Sequence, residues 1–150
     1  MEGRTWVWVW IGVAVVLIAF LLAIFLSLHA NNPASSIPPT PVIAPQGQLV
    51  PQFPKSLILD SAAAISGSYS IGYSSSINQY TAEYDSSSTV TSLYNQYKTY
   101  LLQNGWTITG TLTSHPTFDV IGASQGANQL QVVISTQGKG SEVTVTYVVK

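Results

Sequence analysis

Hydrophobic side chains along this chain fall into three regimes: one unbroken run, one proline-punctuated stretch without periodicity, and a long remainder alternating between periods of two and about 3.6. From Trp6 to Leu26, 21 residues pass without a polar side chain. At about 1.5 Å per residue a helix of that length spans the roughly 30 Å hydrocarbon core of a bilayer. A helix is also the form in which an isolated segment satisfies its own backbone in lipid. The pattern predicts a transmembrane helix over residues 6–28. Trp6, Trp8 and Trp10 gather at one end of it, as indole rings do at the headgroup level. A signal-peptide core is shorter, about 7–15 residues, and ends in a small-x-small site; Leu28-His29-Ala30 places a large Leu there. The expectation is an uncleaved signal-anchor, single-pass, with the lipid bilayer as its first partner.

Ala30 to Pro54 holds seven of the eight prolines. Proline removes backbone donors and favours extended polyproline conformations, so residues 29–54 read as a proline-rich extracytoplasmic linker with a reach of roughly 75 Å at about 3.1 Å per residue. Prolines at 33, 38, 39 and 41 also end any helix continuing from the anchor, which argues against a pilin-like spine. A proline-motif ligand is the sharper alternative for this stretch, and it needs a recognition domain on the same side of the membrane.

Beyond the linker, residues 55–150 predict an α+β domain. Tyr69, Ile71, Tyr73 and then Tyr80, Ala82, Tyr84 alternate as two half-buried strands. Leu57-Ile58-Leu59 predicts a short leading strand. Asp85 to Ser88 offer capping oxygens ahead of a helix over 88–103, whose apolar stripe is Val90, Leu93, Tyr94, Tyr97 and Leu101. Asn104-Gly105 is its stop. Trp106 to Leu112, Phe118 to Ala123, Leu130 to Ile134 and Val143 to Val149 then return to period two. The order ββαββββ predicts an antiparallel sheet with one helix packed on its apolar face, and a wet opposite face of Ser, Thr and Gln.

Composition narrows the function. Only 7% of residues are charged, against roughly 25% in ordinary soluble domains, and the domain has too few cations for a nucleic-acid surface. There is no cysteine, which removes disulfides, thiol chemistry and a lipid-modified Cys. Arg4 is the one Lys or Arg ahead of the apolar run, and none follows it until Lys55. The positive-inside rule therefore places residues 1–5 in the cytoplasm and the C-terminal domain outside, at the cell membrane. Ala19, Ala23 and Ser27 form a small-xxx-small stripe that would allow a weak homodimer; such stripes recur by chance in apolar segments.

The stretch from Tyr80 to Trp106, with Asp85-Ser86, a tyrosine-bearing helix and Gly105-Trp106, resembles small α+β ectodomains of uncharacterised single-pass bacterial envelope proteins. Phe53-Pro54-Lys55 through Leu59-Asp60 is similar to them too. The resemblance implies a strand, a cap, a helix stop and a packing Trp, and no activity.

Three constellations have residue types that could carry chemistry. Gly122-Ala123-Ser124-Gln125-Gly126 fits the nucleophile-elbow pattern, but the elbow needs a following helix and later triad partners. Here a strand pattern follows, and no Asp or His occurs after position 124. A hairpin loop is the better reading. His115 and Asp119 supply at most two metal ligands where zinc wants three or four, so His115 reads as a solvated loop residue. Glu83 and Asp85 flank the helix start, where capping and the helix dipole account for them. The expectation is no catalysis, no metal and no cofactor. Most tyrosines sit on apolar stripes and read as core packing; the alternative is a stacking surface for glycans or peptide, with Tyr100, off the centre of the helix stripe, as the exposed member. The resulting reading is a membrane-tethered extracytoplasmic binding or assembly module of the cell envelope, its partner an unknown envelope protein or glycan. The alternative is an accessory subunit of a larger membrane complex whose partner carries the chemistry.

Overall fold

Chain direction reverses at nearly every turn of this domain, which builds one antiparallel sheet and leaves a single helix to cross it. The computed structural model describes residues 39–150. The anchor over 6–28, its Ala19, Ala23 and Ser27 stripe and the first part of the linker lie outside the described residues. The strands are β1 (Val42–Ile43), β2 (Ala64–Gly72), β3 (Asn78–Ser86), β4 (Thr107–Ser114), β5 (Phe118–Gln125), β6 (Asn128–Gln137) and β7 (Gly140–Val149), with helix α1 (Val90–Gln103) between β3 and β4. Their order across the sheet is β1-β2-β3-β7-β6-β5-β4, and every neighbouring pair is antiparallel. β3 and β4 therefore run the same way with β7, β6 and β5 between them, and the connection through α1 packs on β4, β5 and β6.

The predicted stripe is the buried one: Val90, Leu93, Tyr94, Tyr97 and Leu101 are all buried. They meet Tyr84 of β3, Ile121 of β5, Val132 of β6 and Val143 and Val145 of β7 in one core, the inward residues of a two-residue repeat. The helix begins later than its serines suggest. Thr89 is the cap, its side chain accepting from Ser92 N–H at 3.3 Å. Ser86 instead accepts from Ser88 N–H and donates to Asp60, tying the end of β3 to the incoming chain.

Three further expectations change. The boundary at residue 55 falls inside the folded unit, which runs Pro39–Lys150. Val50 and Phe53, read as linker, are 3% and 5% exposed in the core. Proline bars internal helix and central strand but tolerates edge strands and irregular packed chain: β1 pairs with β2 at the sheet edge, and Val50 N–H donates to Ser68 Oγ at 3.1 Å. Lys55–Leu57 is a 3-10 turn rather than part of a strand, with only Leu57 buried. Finally, the face away from α1 is not wet at its centre. Gln79, Thr81, Gln131 and Thr146 are buried there with Val133 and Val148. Part of their polarity is met internally, since Gln79 Nε2 donates to Thr81 Oγ1 at 3.3 Å and Tyr73 donates to Gln79 Oε1 at 3.2 Å. Among the described residues no helix is long and apolar enough to cross a membrane.

Candidate functional site

The C-terminal end of α1 does more than stop. Gly105 takes a positive φ of 77°, a conformation that costs a residue with a Cβ. This lets Trp106 N–H reach Leu101 O at 2.9 Å and Gly105 N–H reach Leu102 O at 3.4 Å, the paired closure of a Schellman motif. The chain is thereby turned so that Trp106, 8% exposed, packs edge-on to Tyr147 of β7, ring centroids 6.2 Å apart at 71°. Tyr147 in turn stacks with Tyr80 of β3 at 6.4 Å and 28°. Tyr80 donates to Gln52 Oε1 at 2.7 Å, which ties this aromatic group to the packed part of the former linker.

Beside these rings opens a cleft of about 290 Å³. Tyr100, Asn104 and Trp106 border it from the helix end, Gln125 and Tyr147 from the strand ends, and Pro54, Ser56 and Leu57 from the 3-10 turn. None of these side chains is charged. The volume is near the lower bound of small-molecule sites, about 300 Å³. Burial, and secondarily the neighbouring Tyr80, raise the Tyr147 hydroxyl pKa, so the ring stays neutral at physiological pH. The site offers aromatic edges and faces with uncharged hydrogen-bonding groups between them, which suits holding a ligand. Tyr100, singled out from the sequence, does sit here. Trp106 and Tyr147 read in the sequence only as packing residues; the usable signal was a Trp placed directly after a glycine helix stop.

The remaining candidates are dispersed. Ser124 lies in β5 opposite Gln129, and the chain turns at Gly126, φ 61°, straight into β6. The arrangement is strand-turn-strand, without the helix an elbow requires. Asp119 lies on the opposite face of β5 from Ser124 and about 17 Å along the strand. His115 is not simply solvated. Its Nδ1 stands 2.7 Å from Oδ2 of the fully buried Asp119, out of line for a hydrogen bond to that oxygen, while Oδ1 accepts from Ser114 N–H at 3.1 Å. The imidazole also packs edge-on against Tyr94 at 5.6 Å. The pair fixes the loop after β4 against α1. Glu83 and Asp85 do not serve the helix start. Asp85 stands directly across from Glu142 on β7, and burial together with Glu83 and Asp85 raises the Glu142 pKa. Among the described residues no group of three or more His, Cys, Asp or Glu is arranged to hold a metal ion.

Deeper in the core, Tyr97 donates to Leu57 O at 2.7 Å. Having one proton, it must accept from Tyr84, whose hydroxyl is 2.8 Å away. Both rings are fully buried, and burial raises both pKa values, Tyr84 to about 12. This relay fastens the 3-10 turn, and with it one wall of the cleft, to α1 and β3. Comparison with protein-family models, curated proteins and solved structures finds no match.

Proposed function

We propose that this chain is a membrane-tethered extracytoplasmic binding module of the cell envelope, whose ligand seat is the cleft between Tyr100, Trp106 and Tyr147. The anchor over 6–28 fixes it in the membrane with the N-terminus in the cytoplasm, and the part of the linker ahead of the folded unit sets its reach. The observation that carries the reading is the uncharged aromatic cleft, framed by three separate segments and held by a helix-end motif. The proposed role is to hold a ligand; Ser124 stands on the opposite face of β5 from Asp119.

A second reading has its own support. β4 ends the sheet, is exposed except at Ile108 and carries no charged residue. Native edges are usually blunted by charge, proline or a bulge; β4 has only the irregularity between Ile108 and Gly110. An accessory subunit of a larger membrane complex would use such an edge to accept a partner strand.

A photo-crosslinking side chain at position 100, compared with one at Gln96 on the exposed face of α1, tests the first reading in native membranes. A discrete adduct from position 100 and none from position 96 is expected. Equal labelling at both positions, or none at either, contradicts the cleft as the seat.

A further inference from the structure

We infer that the ligand of this cleft is an uncharged oligosaccharide, an assignment that rests on the binding reading above. The cleft presents three kinds of group, and their bonding state decides between ligands. The amide donors are half used: one N–H of Gln125 Nε2 donates to Asn104 O at 2.9 Å, and one of Asn104 Nδ2 donates to Tyr100 O at 2.8 Å. Both bonds fall on carbonyls at the helix C-terminus, and Tyr100 O also accepts from Asn104 N–H at 3.0 Å. The two side-chain oxygens, Asn104 Oδ1 and Gln125 Oε1, have no hydrogen-bond partner among the described residues. The amides lining the cleft therefore each keep one N–H and one oxygen for a ligand, supplemented by the hydroxyls of Ser56 and Tyr100, which both donate and accept.

A ligand matching this wall supplies both donors and acceptors without charge. An anion would face the negative end of the helix dipole, with no cation lining the cleft to receive it. A compact cation would want an open indole face, but Trp106 is 8% exposed and in edge contact with Tyr147 at 6.2 Å. A pyranose ring meets both demands. Its hydroxyls donate to Asn104 and Gln125, and its C–H face lies on an aromatic ring, where Tyr100, half-buried at the rim, has area to offer. A chain of such rings continues out of the open side of the cleft.

The test uses the full chain in lipid nanodiscs, labelled with fluorotryptophan, with the Trp106 resonance identified by Trp106→Phe. Maltohexaose, cellohexaose and chitohexaose are titrated, followed by a proline-rich peptide. One of the sugars should move the Trp106 resonance saturably while those of Trp6, Trp8 and Trp10 stay fixed. Tyr100→Ala should weaken that binding about tenfold, the loss of one aromatic contact, and Tyr100→Phe should restore most of it. A Trp106 shift with the peptide and with none of the sugars overturns the sugar assignment and leaves the cleft as a binding seat. Silence with every probe also overturns it, and the crosslink at position 100 then decides separately whether the binding reading stands.

Discussion

Tyr97 is the residue whose single proton organises one wall of the cleft. Its hydroxyl donates to Leu57 O and accepts from Tyr84, both bonds fully buried. Tyr97→Phe leaves a carbonyl and a phenol without partners, a cost of about 1–3 kcal/mol; Tyr84→Phe keeps the Tyr97–Leu57 bond and should cost only about 1 kcal/mol. Denaturant unfolding of the two variants checks that order. The same pair sets an alkaline limit. Because burial raises the folded-state pKa of Tyr84 to about 12 from an unfolded value near 10, the folded state holds its proton more tightly. That stability is fully present below about pH 10 and is lost as pH rises through about 12. Thermal unfolding followed across that window should show the melting point falling together with the appearance of tyrosinate absorbance, and Tyr84→Phe should lessen the fall. None of this relay was legible in the sequence. Tyr84 and Tyr97 lie on strand and helix stripes that announce burial, while their meeting depends on how α1 crosses the sheet.

At the scale of elements, the helix was the most legible part, because five apolar residues at helical spacing leave one way to face a core. The strands were legible for the same reason at period two. Their order was not, since the one pairing of non-consecutive strands, β3 with β7, is decided by which edges the α1 crossover brings together. The cap was misplaced because four residues from Asp85 to Ser88 carry suitable oxygens, and only the backbone shows that Thr89 takes the role. Thr89→Ala should therefore cost about 0.5–2 kcal/mol, whereas Asp85→Asn should leave stability unchanged or raise it by relieving repulsion with Glu142. Circular dichroism melts of the pair distinguish the two assignments. At the other end of α1, Gly105→Ala strains a left-handed position, costs about 1 kcal/mol and should also displace Trp106, so stability and ligand affinity fall together.

For the whole molecule, the main lesson lies in the chain leading into the domain. Its prolines announced a spacer, yet Val50 and Phe53 belong to the core, because proline forbids regular pairing without forbidding contact. A fragment 55–150 should therefore fail to unfold cooperatively, while 39–150 should melt as one unit. Phe53→Ala within the full chain should cost about 3–5 kcal/mol, a large part of the roughly 5–15 kcal/mol that holds a domain together. If the chain is tethered as proposed, the segment left to act as spacer is the one ahead of Pro39, and shortening that segment is the informative variant. One residue lining the cleft, Tyr100, stood out in the sequence; its place off the stripe suggested an exposed ring, and it is half-buried instead. Trp106 and Tyr147 reach the cleft only through the helix-end turn and the strand order. The most direct measurement of whether this cleft is the working surface is amide hydrogen exchange on the full chain in lipid nanodiscs, with and without solubilised envelope material. Added protection confined to Lys55–Leu57, Asn104–Trp106 and the β5 end at Gln125 is the predicted result; protection along Thr107–Ser114 with the cleft amides unchanged would contradict it and favour partner addition at the β4 edge.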